Sequence, residues 1–336
     1  MWVKGKCIAA ALIIGALAAG SQAAADTPGG LRSFEAAALV IDDLIGTLKV
    51  EVVESGPMTV LLEGPDAKVR DIAVRVEGDA LVIKRGMGPT GTGPFRAEDY
   101  AVVTVEVPAN TPLTIDDMDG IAIIGDLDAP VTIYVASLDI TLGNVRSAMI
   151  DRFGSGNVTI GDVAGEVSAK LSGSGDIVVG SAETARIEKR GSGNVVLGPV
   201  RGSLVAEMRG SGDVVVESAG TVDLTKRGSG DVDLGRIAGA LSYRSAGIGD
   251  VDIASVDGPV AVSTTSSGKI HIHSGTARPL EVEIAEYGDF TLDGNAVDPK
   301  LTVSGASIIK LQSYTGEFEA TGSGDIRVGG HRVYPL

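Results

Sequence analysis

Cysteine is almost missing from this chain of 336 residues, because its one cysteine, Cys7, lies in the first segment. The rest of the chain has no disulfide, so its stability must come from packing and backbone pairing. Aromatic residues make up only 4% and leave few rings for stacking on sugars. Basic residues are also few: there are 28 Lys and Arg against 44 Asp and Glu, which gives a formal net charge of −16. This balance disfavours nucleic acid and anionic lipid as partners.

The first segment has the pattern of a secretory signal peptide. Lys4 and Lys6 precede an apolar run over residues 8–19, and Ala23 and Ala25 occupy the positions of an A-x-A cleavage site. The pattern predicts cleavage after residue 25 and export to the periplasm, the extracellular space or the cell surface. The apolar run is too short to span a bilayer comfortably. A membrane span is therefore not expected. A lipid anchor is not expected either, because Cys7 comes before the apolar run instead of after it.

Three regions are predicted beyond a short linker at residues 26–33. Residues 34–115 alternate apolar and polar positions between Gly- and Pro-containing turns, which is typical of β-strands. This N-terminal β region is expected to cap the repeats, which occupy residues 116–330. Residues 331–336 form a C-terminal end whose charges and proline could blunt the last strand edge.

A tetrad, Gly-Ser-Gly-Asp or Gly-Ser-Gly-Asn, recurs at intervals of 18 or 19 residues from Gly154 onward. Each copy precedes a short strand with two apolar positions around one variable position, and a second alternating strand follows half a turn later. A period this regular predicts an all-β fold, a single-chain parallel β-solenoid (a β-helix, expected to be right-handed) of roughly eleven rungs of 18–20 residues. A doubly wound fold is excluded because no strand is followed by a helix of the length that a βαβ unit needs.

The tetrad residues are interpreted as structural turn residues. Glycine fits a tight corner, and an Asp or Asn side chain can accept backbone N–H groups there in an Asx-turn arrangement. Stacked carboxylates repel by about 1 kcal/mol per neighbour in water, so basic residues placed just before the tetrads are expected to neutralise them. The predicted turn residues are Gly154, Gly156, Asn157, Gly173, Gly175, Asp176, Gly191, Gly193, Asn194, Gly210, Gly212, Asp213, Gly228, Gly230, Asp231, Asp250 and Asp325. The basic residues are Arg152, Lys170, Lys189, Arg190, Arg209, Lys226, Arg227 and Arg244.

Two metal hypotheses remain open, although no cofactor is expected. Calcium would bind a glycine-rich nonapeptide with a spacer before its Asp, whereas here the Asp directly follows the second glycine of the tetrad. Zinc could be held by His271 and His273, which point outward from one strand, with Asp252 one rung below and Asp293 beside His273. Exposed histidines without a metal are far commoner than such sites.

An apolar stripe is predicted on the outer surface. Val178, Val196 and Val215 occupy the outward middle position of three consecutive rungs. Exposed apolar stripes are unusual on a soluble monomer, so this one could contact a partner or a second copy, unless β-propensity alone accounts for it. Nucleophilic catalysis is not indicated, because the serines lie in corners that the fold requires and have no histidine at motif spacing.

The sequence resembles the bacterial GIN-domain family, described as auto-transporter adhesin head domains. The resemblance rests on the train of Gly-Ser-Gly-Asp turns and on an opening β pattern at residues 50–53 (VEVV), 58–60 (MTV), 81–84 (LVIK) and 105–108 (VEVP). It covers residues 34 to 329. The resemblance implies an exported β-helix without a defined biochemical role.

Three functional hypotheses follow. The first is a non-enzymatic exported solenoid that serves as an envelope structural or adhesion module, with an unknown protein or glycan of the cell envelope as its partner. The second is a carbohydrate-active or metal-dependent enzyme on the same scaffold. The third is a module that self-associates by stacking end to end.

Overall fold

The computed structural model describes residues 30–86, 96–265 and 267–334. The predicted signal peptide lies outside these residues. The predicted linker is described only from residue 30, and its last two residues, Arg32 and Ser33, already belong to a strand.

The described residues form strands throughout, with one α-helix, α1 (Asp66–Arg70), and one 3₁₀ turn (Ala97–Asp99). Helices of five and three residues are too short to cross a bilayer, and no helix in the described part of the chain could do so. The strands of the first half are β1 (Arg32–Phe34), β2 (Ala38–Val53), β3 (Met58–Glu63), β4 (Ile72–Glu77), β5 (Ala80–Arg85), β6 (Ala101–Pro108), β7 (Leu113–Ile124), β8 (Leu127–Val135), β9 (Leu138–Leu142), β10 (Val145–Arg152), β11 (Val158–Ser172) and β12 (Ile177–Gly191). Those of the second half are β13 (Val195–Ser211), β14 (Val214–Ser229), β15 (Val232–Ile237), β16 (Leu241–Ile248), β17 (Val251–Thr264), β18 (Lys269–Ile272), β19 (Gly275–Ile284), β20 (Asp289–Val297), β21 (Lys300–Val303), β22 (Ile308–Thr315), β23 (Glu319–Gly322), β24 (Asp325–Val328) and β25 (His331–Val333).

Nearly all strands pair in parallel with the equivalent strand of the next rung. The long strands β11 to β14 carry this register, for example Val178 beside Val196 and Val196 beside Val215. The predicted parallel β-solenoid of about eleven turns is confirmed. Alternate side chains point inward and form one continuous apolar core along its length.

Eight consecutive rungs have a third buried position, in addition to the two inward-facing strands that the sequence predicts. Between the short strand and the longer one, the chain bends with a register shift and buries one aliphatic side chain. These side chains stack into a third inward column, formed by Leu127, Val145, Val163, Ala182, Val200, Ala219, Ile237 and Val256.

The parallel stack begins earlier than residue 116. Strand β2 pairs in parallel with β7 from Leu39↔Leu113 to Val50↔Ile124, and with β5 and β6 on its other side. The predicted boundary between residues 115 and 116 falls inside β7. The residues that cover the first edge are antiparallel: β4 lies along β5, β3 along β6, and β1 along β3.

The other end closes with a hairpin. Gly329 and Gly330, both at positive φ, turn the chain so that β25 lies antiparallel to β24. Asp325 forms ion pairs with Arg327 at 2.7 Å and with Arg332 of β25 at 3.0 Å. Pro335, which was expected to blunt this edge, lies outside the described residues.

Candidate functional site

The corner glycines stack in van der Waals contact with the rung below. Gly175 has a φ of +118°, and a Cβ built on it would lie 2.0 Å from the carbonyl oxygen of Gly156. Gly173 has a φ of +108°, and its Cβ would lie 2.5 Å from the carbonyl oxygen of Gly154. Both the backbone conformation and the lack of space therefore require glycine. The repeat is explained by close backbone stacking, without any ligand.

The Asp and Asn residues of the tetrads form a hydrogen-bonded ladder. Each side-chain Oδ1 accepts the backbone N–H of the equivalent residue in the next rung, at 2.7 to 3.1 Å, from Asp139 to Lys269. The expected Asx-turn within one corner is therefore not the arrangement observed. Parallel stacking at about 4.8 Å brings the next rung's N–H within reach of the side chain. The bonded residues are Asp139, Asn157, Asp176, Asn194, Asp213, Asp231 and Asp250. Asp325 lies outside this ladder and binds arginines instead.

A second, shorter ladder was missed at the opposite corner. Asp126 Oδ1 accepts the N–H of Asn144, and Asn144 Oδ1 accepts the N–H of Asp162, at 2.7 and 2.8 Å. Asp162 Oδ1 then accepts a hydrogen bond from the hydroxyl of Ser181. The signal was present in the sequence as a spacing of 18 or 19 residues between these polar residues.

Three of the basic residues lie inside the solenoid. Arg152, Lys189 and Lys226 are 0%, 1% and 3% exposed. Arg152 donates to the carbonyl oxygens of Gly154 and Ser174 at 2.8 and 3.1 Å, and the lysines donate to corner carbonyls in the same way. Burial lowers the pKa of all three, while the nearby ladder carboxylates partly oppose that shift.

The inner cations alternate with apolar side chains. Register places Leu171 between Arg152 and Lys189, and Met208 between Lys189 and Lys226. Charges in this column are therefore two rungs apart, or about 10 Å. The predicted neutralisation of the ladder carboxylates thus comes partly from buried cations, which lie on the inner side of the same corners. On the outside, Arg190, Arg209 and Arg244 form ion pairs with residues of the longer strands, namely Glu188, Glu207 and Asp223.

The valine stripe is present and exposed. Val178, Val196 and Val215 are 38%, 36% and 39% exposed and lie side by side in three rungs. Thr159 continues the column on one side and Asp233 on the other. The Asp and Asn ladder borders the stripe, because each ladder residue precedes its strand by one position.

The two histidines and two aspartates form a cluster, with pairings crossed relative to the register. Asp252 lies beside His271 in the sheet, but its carboxylate contacts Nε2 of His273 at 2.8 and 2.9 Å. His271 Nε2 contacts Asp293 at 2.7 Å, whereas the sequence placed Asp293 beside His273. The two imidazole rings are 3.9 Å apart. Ligand atoms of Asp252, His271 and His273 all lie within 4.8 Å of one another.

A shallow groove of 620 Å³ follows the second ladder. Its carboxylates and arginines already have hydrogen-bond or ion-pair partners. Asp128 forms an ion pair with Arg146 at 3.1 Å, and Asp126 and Asp162 belong to the ladder. The groove carboxylates thus follow the repeat register and have structural partners.

A single chain wound into parallel rungs with a Gly-Ser-Gly corner defines a β-solenoid. The family model described as "Putative auto-transporter adhesin, head GIN domain" matches residues 43–236, more than half of the chain. The protein therefore belongs to this family, as the sequence resemblance indicated. No curated protein matches its sequence significantly.

Several solved structures are similar to this chain. A "putative adhesin" from Bacteroides fragilis is 14% identical, with 89% of this chain and 95% of that chain covered and a TM-score of 0.24. A "putative cell adhesion protein" from Clostridium sporogenes is 11% identical, with 70% and 98% covered and a TM-score of 0.25. A "putative lipid binding protein" from Parabacteroides distasonis is 13% identical, with 89% and 96% covered and a TM-score of 0.23.

Proposed function

We propose that this protein is an exported, non-enzymatic β-solenoid that acts as an adhesion or structural module of the cell envelope. Its partner is a protein or glycan of that envelope. The observation that carries the proposal is the exposed stripe of Val178, Val196 and Val215 on a regular, rigid surface. The family description, which names an adhesin head and no reaction, supports the same role.

The chemistry of the 620 Å³ groove supports a non-enzymatic role. A hydrolase on this scaffold would need a carboxylate pair free to act as acid and base. The carboxylates of the 620 Å³ groove are held by backbone N–H groups, a hydroxyl or an arginine. They repeat with the rungs, as structural residues do.

The stripe suits recognition because its backbone is fixed on both sides. Val196 pairs with the rungs above and below, and its strand neighbours Val195 and Leu197 are buried in the core. Because this backbone is already fixed, the solenoid loses little conformational entropy when a partner covers the three valines. The bordering carboxylates favour a partner with basic or hydrogen-bond donor groups at its rim.

The test compares envelope binding by the wild type and the variant Val178→Thr/Val196→Thr/Val215→Thr. Threonine keeps the branched shape and the strand preference but adds a hydroxyl. Cosedimentation with isolated envelopes is expected to fall for this variant and to stay unchanged for Ile248→Ser. Ile248 is 65% exposed outside the stripe, and serine occupies the corresponding corner position in other rungs.

Two further measurements identify the kind of partner. Treating the envelopes with protease or with periodate distinguishes a protein partner from a glycan. Light scattering of the purified protein shows whether the stripe joins two copies instead. Equal envelope binding by the wild type and the threonine variant would overturn the role of the stripe.

Export is tested separately by fractionation and N-terminal sequencing. The expected mature protein begins at Asp26 and is recovered outside the cytoplasm. A protein retained in the cytoplasm with its first residues intact would contradict the proposal.

A further inference from the structure

We propose that Asp252, His271 and His273 form a binding site for a divalent transition-metal cation of the zinc type. Two imidazoles and one carboxylate are a ligand set that zinc uses in proteins. Nitrogen donors select such ions over calcium and magnesium, which prefer oxygen. Among the described residues, this is the one group of three such side chains within metal-binding reach of one another.

The distances allow closure around an ion without backbone movement. The three ligand atoms lie within 4.8 Å of one another. A tetrahedral zinc with bonds of 2.0–2.1 Å to nitrogen and oxygen needs them about 3.3 Å apart. His271, His273 and Asp252 are half-exposed, with side-chain exposures of 34%, 45% and 59%, so small rotations of the side chains can supply the difference.

The backbone beneath the site is preorganised by the solenoid. Ile270 and Ile272 flank His271, are buried in the core, and lie beside Val251 and Ile253 of the rung below. The backbone N–H of His273 donates to Ile253 at 2.9 Å. The ligands therefore project from a fixed part of two adjacent rungs, which lowers the entropy lost on binding.

Asp293 completes the arrangement as a supporting group. Its carboxylate binds Nε2 of His271 at 2.7 Å, which leaves Nδ1 of that ring for the ion. Ligating histidines commonly use their second nitrogen in this way, and the carboxylate fixes the tautomer. Asp233 lies one rung below Asp252 and adds negative charge near the cation. Three protein ligands leave a fourth position for water or for a donor from a partner.

The test is calorimetric titration of the protein, purified without a polyhistidine tag, with ZnCl₂ in a buffer that does not chelate. One ion per chain at micromolar affinity is expected, and a rise in melting temperature with zinc gives an independent readout. His271→Ala and His273→Ala are expected to abolish both signals. Asp293→Asn is expected to weaken binding by about 10- to 100-fold.

The third histidine of the chain provides the matched control. His331 lies in the C-terminal hairpin, outside the cluster, and His331→Ala is expected to bind zinc as the wild type does. CaCl₂ is expected to give neither heat nor a melting shift through these residues. The proposal is overturned if millimolar zinc has no effect, if binding persists in the His271→Ala/His273→Ala double variant, or if His331→Ala removes it equally.

Discussion

The side chain of Asp231 accepts a hydrogen bond at 2.8 Å from the backbone N–H of Asp250, one rung further along the solenoid. Asp231 in turn donates its own N–H to Asp213, also at 2.8 Å. The side-chain oxygen at each ladder corner thus takes the place of a backbone carbonyl as the acceptor of the next rung's N–H. This relationship explains why an exposed residue recurs so regularly in the sequence.

The first prediction separates the charge of Asp231 from its hydrogen bond. Asp231→Ala removes the acceptor of the Asp250 N–H and is expected to lower the free energy of unfolding by about 1 kcal/mol. Asp231→Asn keeps the oxygen and removes repulsion from Asp213 and Asp250, so it is expected to be neutral or slightly stabilising. Urea unfolding at low and high salt measures both, and any gain in Asp231→Asn should shrink with salt. Equal losses in the two variants would contradict the ladder.

The second prediction concerns glycine in the corner. Gly175→Ala and Gly56→Ala both place alanine at a similar φ, +118° and +128°, but only at Gly175 would the Cβ meet a neighbouring rung. We expect Gly56→Ala to cost about 1–2 kcal/mol from backbone strain alone. Gly175→Ala should cost several kcal/mol more, because the stacked backbones must separate. Thermal unfolding of the two variants checks this, and similar losses would show that backbone strain alone requires glycine.

The third prediction follows from the lowered pKa of Lys189 and Lys226. Between the lowered pKa of the folded protein and the ordinary value, the unfolded chain binds more protons, so stability contributed by these lysines rises with pH. Relative to Lys189→Met/Lys226→Met, the wild type should therefore gain stability from neutral to alkaline pH. Methionine fits because Met208 occupies the same column.

The control for this pH effect is Lys170→Met, because Lys170 is exposed on the outer face of the same strands, beside Glu188. Chemical unfolding at several pH values is the measurement. A difference between the wild type and the double variant that stays constant with pH, or falls as pH rises, would contradict the buried cations.

The fourth prediction tests the C-terminal hairpin. Removing residues 331–336 deletes β25 and exposes the outer edge of β24. An open strand edge pairs readily with another chain, so the truncated protein is expected to associate with rising concentration. Light scattering detects this. Arg332→Ala removes the ion pair to Asp325 and the contact with the Tyr334 ring but keeps β25, and it should stay as monodisperse as the wild type.

The repeats were predictable because one short motif determines both corner and register. Two other features were not evident from periodicity. Strand β2 lies between β7 on one side and β5 and β6 on the other. Its place in the stack therefore follows from non-repeating contacts between residues 42 to 74 positions apart. The crossed pairing of His273 with Asp252 depends on side-chain rotation, which the register alone does not define.

The burial of the three cations can be predicted from the sequence. Ala148, Ile150 and Arg152 alternate along β10, and the first two are apolar and inward. The same spacing places Lys189 and Lys226 inward on their strands. Proximity to a tetrad is shared by inward and outward basic residues, so it does not distinguish the two; strand alternation does.

The alternation of Arg152, Leu171, Lys189, Met208 and Lys226 implies that the repeating unit in this part of the solenoid is a pair of rungs, 37 residues long. Loss or duplication of a single rung would place two cations, or two apolar groups, in direct succession. Changes in length by whole pairs preserve the alternation. Between Arg152 and Lys226, insertions or deletions should therefore be tolerated better in steps of two rungs than in steps of one.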